Sequence, residues 1–121
     1  MSDTAITLYG IPNCDTVKKA RTWLTEQGVA HTFHDFKKQG LDAATVQQWL
    51  EGADRDTLVN RKGTTWRGLP VDVKDGVTDD GAAVALMVAY PSVVKRPVAV
   101  LDGGKRIHVG FKADDYAALF A

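Results

Sequence analysis

The chain has a single cysteine, Cys14, in 121 residues, so no internal disulfide can form and a disulfide-stapled scaffold is excluded. A reducing, cytoplasmic setting is the expectation that follows. Nor is there an excess of charge of either sign: 15 lysines and arginines against 15 aspartates and glutamates leave a formal net charge of zero. Proteins that live on nucleic acid normally carry a clear basic excess, so that class of partner is not expected. Long hydrophobic runs are missing too. The longest, Ala82 to Tyr90, is about half of the ~20 residues that a membrane-spanning helix needs, so no membrane partner is expected. Met1-Ser2-Asp3-Thr4 offers neither a basic segment nor an apolar one, and no secretory leader is expected. What remains is an ordinary globular mixture, 45% apolar and 25% charged, of a length that fits one domain over 1–121. Disordered and collagen-like chains are excluded by the same composition.

Apolar alternation over Ala5-Ile6-Thr7-Leu8-Tyr9, stopped by Gly10 and Pro12, predicts a first strand. From Asp15 to Gln27 the period becomes helical. Val17, Ala20 and Leu24 share one face, Lys18, Lys19 and Arg21 point elsewhere, and Gly28 terminates the run. Ala30 to Phe36 returns to alternation as a second strand. A mostly helical middle follows, over about 40–92. Within it Asp42 is the expected cap of a helix with Val46, Trp49 and Leu50 on its buried face and Leu41 placed to staple Val46. Ala83, Leu86, Met87 and Tyr90 form a similar face after Asp79-Asp80, ended by Pro91. Pro97 to Leu101 is an apolar strand, joined through Asp102-Gly103-Gly104 to Arg106–Val109 as a hairpin. Asp114 is the expected cap of a last helix that buries Tyr116, Leu119 and Phe120. A right-handed β-α-β crossover makes the first two strands parallel.

Cys14 is the sharpest chemical feature. In Gly10-Ile11-Pro12-Asn13-Cys14-Asp15-Thr16 it stands between a strand and the start of a helix. A thiol there faces free backbone amides and the positive end of the helix dipole, which favour the nucleophilic thiolate, and Lys18 and Lys19 push the same way. The competing reading is an inert, buried cysteine acting as a small hydrophobe, and loop position alone leaves the two level. Position 17 is valine, so the Cys-x-x-Cys pair of a dithiol enzyme is absent. A redox-active Cys14 therefore works as a monothiol, released by an external thiol such as glutathione. His31 and His34 differ by three and point to opposite faces of a strand, so no metal site is expected. Trp23, Trp49 and Trp66 are expected in the core, and Asp15 reads as a helix cap rather than a catalytic acid.

The run Leu8-Tyr9-Gly10-Ile11-Pro12-Asn13-Cys14-Asp15-Thr16-Val17-Lys18-Lys19-Ala20 resembles the active-site loop of the ArsC/Spx family, and within it the YffB-like branch of arsenate reductase-like proteins. Phe33-His34-Asp35 with its following basic pair, the stretch from Asn60 to Arg67, and Lys95-Arg96-Pro97-Val98 recur in the same order, so the resemblance spans nearly the whole chain. It implies an α/β, thioredoxin-like fold: a mixed sheet flanked by helices, with a helical insertion between the second and third strands. It also implies Cys14 as the catalytic nucleophile. Arg96 and Arg61 (or Lys62) match the arginines that hold an oxyanion, and their guanidinium forks suit a carboxylate equally. Asn13, Lys18, Arg61, Arg96 and Pro97 are the expected glutathione-binding set, Pro97 through a cis bond that presents backbone groups. Two departures stand out: Gly10 where arsenate reductases have a histidine, and Val109-Gly110-Phe111-Lys112 where they carry a further arginine.

The expectation is a monomeric, glutathione-dependent monothiol reductase acting on a disulfide, mixed disulfide or oxidised small molecule, with glutathione as co-substrate and no bound cofactor. One alternative is an arsenate reductase, weakened by the two departures. The other is a Spx-like redox or transcription regulator that binds RNA polymerase, weakened by Val17 in place of a second cysteine.

Overall fold

Alternation along the first strand sends its side chains to two different cores. In the computed structural model, which describes residues 6–120, β1 (Thr7–Gly10) buries Leu8 on one face and packs Tyr9 on the other. Of the predicted first strand, Ala5 lies outside the described residues. β3 (Val98–Leu101) is buried at all four positions: Ala99 and Leu101 join Leu8, while Val98 and Val100 join the opposite core. A strand covered on both faces reads as a continuous apolar run.

The sheet has the order β2-β1-β3-β4, with β2 (Thr32–Asp35) parallel to β1, and with β3 antiparallel to both β1 and β4 (Arg106–Val109). This is the mixed α/β arrangement the sequence leads one to expect. α1 (Asp15–Glu26) buries the anticipated Val17, Ala20 and Leu24, and Ala20 and Leu24 meet Tyr116 of α8 (Ala113–Leu119) over one face. The second strand is shorter than its alternation suggests. Asp35 accepts a hydrogen bond from Lys37 N at 2.8 Å, and Phe36 already begins the short helix α2 (Phe36–Gln39).

Between β2 and β3 the chain is helical: α2, α3 (Ala43–Gly52), α4 (Arg55–Leu58), α5 (Thr64–Arg67), α6 (Val71–Asp75) and α7 (Asp80–Ala89), then a 3-10 turn at Pro91–Val93. Asp42 and Asp79 cap α3 and α7 through Thr45 N and Ala82 N, each at 2.8 Å. This layer covers the second face of the sheet around a fully buried Trp49, whose ring meets Tyr9 and Phe36. Trp23 and Trp66 are only half-buried, at the margins of the two cores. Tyr90, expected on the buried face of α7, is 45% exposed, because the helix ends at Ala89 and the chain turns away toward Pro91. Among the described residues no helix is long and apolar enough to cross a membrane.

Two expected caps are corrected. Cys14, with extended φ −88° and ψ 126°, holds the N-cap of α1, and Asp15 lies in the first turn. Lys112 holds the N-cap of α8, and Asp114 and Asp115 lie in its first turn. In both places acids oppose the positive helix end without capping it.

Gly10 ends β1 beneath α1, where an added Cβ would lie 2.7 Å from Val17 Cγ2. Gly10→Ala should therefore lower unfolding stability by about 1–3 kcal/mol in urea titration, as overpacking does. The Gly10→Ala, Val17→Ala double variant should be less destabilised than the sum of the singles, because the second change removes the obstacle.

Candidate functional site

The loop from β1 to α1 delivers Cys14 half inside the helix. Its amide donates to the Ile11 carbonyl at 3.2 Å, and its carbonyl accepts the amide of Lys18 at 2.9 Å. The thiol makes no capping bond, is half-buried and packs against the core beneath the helical layer.

A second wall comes from the chain entering β3. Val59 and Val94 form an isolated bridge, Asn60 N donates to Val93 O at 2.8 Å, and Lys95 N to Leu58 O at 2.7 Å. These bonds hold the α4–α5 connection against Lys95 and Arg96. The Asn60 carboxamide accepts from Lys62 N at 3.2 Å, which fixes its turn. The Arg96–Pro97 bond is cis. The third wall is the exit from β4, where Gly110 N donates to Pro97 O at 2.8 Å. Gly110 has φ +85°, a conformation that disfavours any side chain. Phe111, Lys112 and Asp115 continue that wall into α8.

The three walls enclose a cleft of about 400 Å³ with Cys14 and Thr16 on one side, Asn60, Lys95 and Arg96 on another, and the segment from Val109 to Asp115 on the third. Its charged lining is Lys95, Arg96, Lys112 and Asp115, three cations and one anion. Arg96 donates through Nη1 to the Ser92 carbonyl at 3.0 Å, which aims the guanidinium, while its buried Nε has no partner among the described residues. Among the described residues Arg96 makes no ion pair.

Of the expected site residues, the structure brings Cys14 and Arg96 together in this cleft. Pro97 is buried next to it, with its carbonyl already taken by Gly110. Asn13 is exposed on the loop and Lys18 lines a separate depression along α1 with Arg21, Thr22, Thr25 and Glu26. Arg61 pairs with Asp56 at 2.9 Å and lies over the Trp66 ring at 5.3 Å, so Asn60 stands in the cleft instead. Lys62 offers its carbonyl to the Arg67 guanidinium. Thr16, Asn60, Lys95, Lys112 and Asp115 are the polar and charged lining residues outside the expected site set. Asn60 and Lys95 adjoin residues of that set; Lys112 and Asp115 reach the cleft only through the turn out of β4. Lys112 thus brings a cation to the region where an arginine is missing. Among the described residues no three His, Cys, Asp or Glu side chains gather into a metal site.

Behind Asp115 stands His108, Nε2 to Oδ2 3.8 Å. Burial lowers the proton affinity of His108 below the ordinary histidine range, and Asp115 opposes that only in part. The folded imidazole resists a proton that the unfolded chain accepts, so this contribution to stability is present above about pH 6.5 and lost as pH falls below it. His108→Gln should accordingly lose less stability than the native chain between about pH 7.5 and 5.5 in urea titrations, and an equal or larger loss would contradict the assignment.

The sequence pattern of the ArsC family matches residues 9–119. A YffB protein of known structure is 48% identical, superposes with a TM-score of 0.87, and the match covers 96% of this chain and 99% of that one. An arsenate reductase (ArsC) related protein from Brucella melitensis is 52% identical with a TM-score of 0.73, over 96% and 94% of the two chains. The global transcriptional regulator Spx of Streptococcus agalactiae is 30% identical over 115 residues, 93% of this chain and 81% of Spx. With its four-stranded mixed sheet, its helical layer between β2 and β3 and its cysteine at the head of α1, the chain belongs to the ArsC family and has that family's thioredoxin-like fold.

Proposed function

We propose that the protein is a glutathione-dependent monothiol reductase with Cys14 as its nucleophile. One observation carries the reading: the lone thiol, at a helix N-cap, lines a cleft whose charged side chains are mainly cationic. Glutathione is anionic at neutral pH and carries its own thiol. In the first step the Cys14 thiolate attacks the glutathionyl sulfur of a mixed disulfide. A Cys14–glutathione disulfide forms, the old sulfur–sulfur bond breaks, and the substrate thiolate leaves to take a proton from water. A second glutathione then attacks the bound glutathionyl sulfur, restoring Cys14 and releasing glutathione disulfide. The mixed disulfide and one free glutathione thus give the substrate thiol and glutathione disulfide: the substrate sulfur gains one electron and the incoming glutathione loses one, so no bound cofactor is needed. Within this reading Lys95, Arg96 and Lys112 orient the carboxylates. Asn13, Lys18 and Arg61 lie outside the lining and act, if at all, on the larger partner of the mixed disulfide.

A second reading, a Spx-like regulator that binds RNA polymerase, is favoured by the identity with Spx. Val17, in place of a second cysteine, removes an internal disulfide switch from it. Arsenate reduction is the weaker enzymatic alternative. A histidine in place of Gly10 would have to enter the space that Val17 fills.

Incubation with glutathione disulfide should add one glutathionyl group per chain by intact mass, and none to Cys14→Ser. Arg96→Ala should slow that addition by up to about fivefold, the worth of a partly exposed charge contact. Failure of the native protein to take up the group would leave the regulator as the leading reading. Arsenate turnover with glutathione and glutaredoxin should stay near background, and turnover abolished by Cys14→Ser would overturn that expectation.

A further inference from the structure

Asp115 has the wrong sign for a site that holds only anions. It lines the Cys14 cleft together with Lys95, Arg96 and Lys112. An acid in the first turn of α8 is explained by the helix dipole, but Asp114 meets that need equally and does not line the cleft. Nor does the protein neutralise Asp115. Among the described residues its one ion-pair neighbour is His108 at 3.8 Å, too far for a hydrogen bond, and burial disfavours the charged imidazole. Lys112 and Asp115 make no ion pair with each other, and the Asp115 side chain is 49% exposed. A carboxylate left open beside three cations is the complement of a ligand that carries both signs.

We infer that Asp115 is a specificity-determining residue of the cleft, receiving the ammonium of a zwitterionic thiol ligand whose carboxylates go to Lys95, Arg96 and Lys112. The inference rests on the glutathione reading and deepens it. Glutathione presents two carboxylates and one ammonium, and the ammonium shares a carbon with one of the carboxylates. Lys112 and Asp115 lie three residues apart at the head of one helix, a spacing that makes side chains neighbours. That pair suits the amino-acid end of the tripeptide, whose two charges are also adjacent. Lys95 and Arg96, on the opposite wall, remain for the glycyl carboxylate. A thiol without the free amine would leave Asp115 facing only the ligand's negative charges.

The test compares how fast Cys14 forms its mixed disulfide with glutathione disulfide and with the same disulfide acetylated on both amino groups. The native protein should prefer the free amine by about three- to fivefold, the scale of one partly exposed ion pair. In Asp115→Asn the ratio should fall toward the residual steric effect of the acetyl group, and in Asp115→Glu most of it should return. Because each ratio is taken within one protein, a general loss of folded material cancels. Equal rates in the native protein, or an unchanged ratio in Asp115→Asn, would overturn the inference while leaving the glutathione reading standing. If bis(2-hydroxyethyl) disulfide, which has no charge, reacts as fast as glutathione disulfide, the glutathione reading fails and this inference with it.

Discussion

The antiparallel pairing of β1 with β3 is the constraint on which the site depends. Tyr9 stands opposite Val98 and Thr7 opposite Val100, so the chain leaving β1 and the chain entering β3 meet at one edge of the sheet. One carries Cys14 and the other Arg96. The next pairing repeats the device: Val98 stands opposite Val109, so the exit from β4 arrives at the same edge, locked there by the bond from Gly110 to Pro97. Three segments far apart in sequence become the walls of one cleft because each borders the end of a strand. The cores on both faces of β3 make a one-residue slip costly, since it would exchange Val98 and Val100 with Ala99 and Leu101 across the sheet.

The same edge explains why two sequence features belong together. Gly10 closes β1 and Val17 is the first buried residue of α1, and the missing Cβ of one is the space filled by the other. A histidine at position 10 and a second redox sulfur at position 17 would both alter this contact. In this chain the volume beside the cysteine loop is given to apolar packing. The loop is left with one sulfur, at Cys14, and the charged side chains of the cleft come from the other two walls.

What the sequence disclosed follows from how local each signal is. α1, α3 and α7 are long enough for their period to show, and Asp42 and Asp79 announce two of them through caps set by immediate neighbours. α4, α5 and α6 run only four or five residues, too short for a period, although Asp54 caps α4 through Thr57 N. The misplaced caps at Asp15 and Asp114 share a cause. A good capping residue marks a helix start to within a residue or two, whereas backbone conformation decides which residue holds the cap. Of the candidate site, Cys14 was legible from chemistry and loop position together, and Arg96 through the family resemblance, and the structure brings the two into one cleft. Arg61 illustrates the limit, because composition and order do not reveal that Asp56 and Trp66 hold its side chain. Asp115 is the opposite case. Its place on the cleft wall depends on the β3–β4 register and on the bond from Gly110 to Pro97, whose partners on the β3 side lie well upstream of it in sequence.

Net neutrality, finally, excludes less than it first suggests. A formal charge of zero removes the long-range attraction that gathers a protein onto a polyanion. It does not constrain the field inside a small cleft, where screening acts over about 8 Å at physiological salt and the nearest few charges dominate. Arg55, Arg61 and Arg106 are paired with aspartates elsewhere on the surface, so their fields are largely cancelled locally. Among the described residues Arg96 has no acid within ion-pair range. The fold thus concentrates uncompensated positive charge beside Cys14 while the chain as a whole carries none. That distribution is what the proposed recognition of a small charged ligand requires, with charge setting its orientation at contact distance.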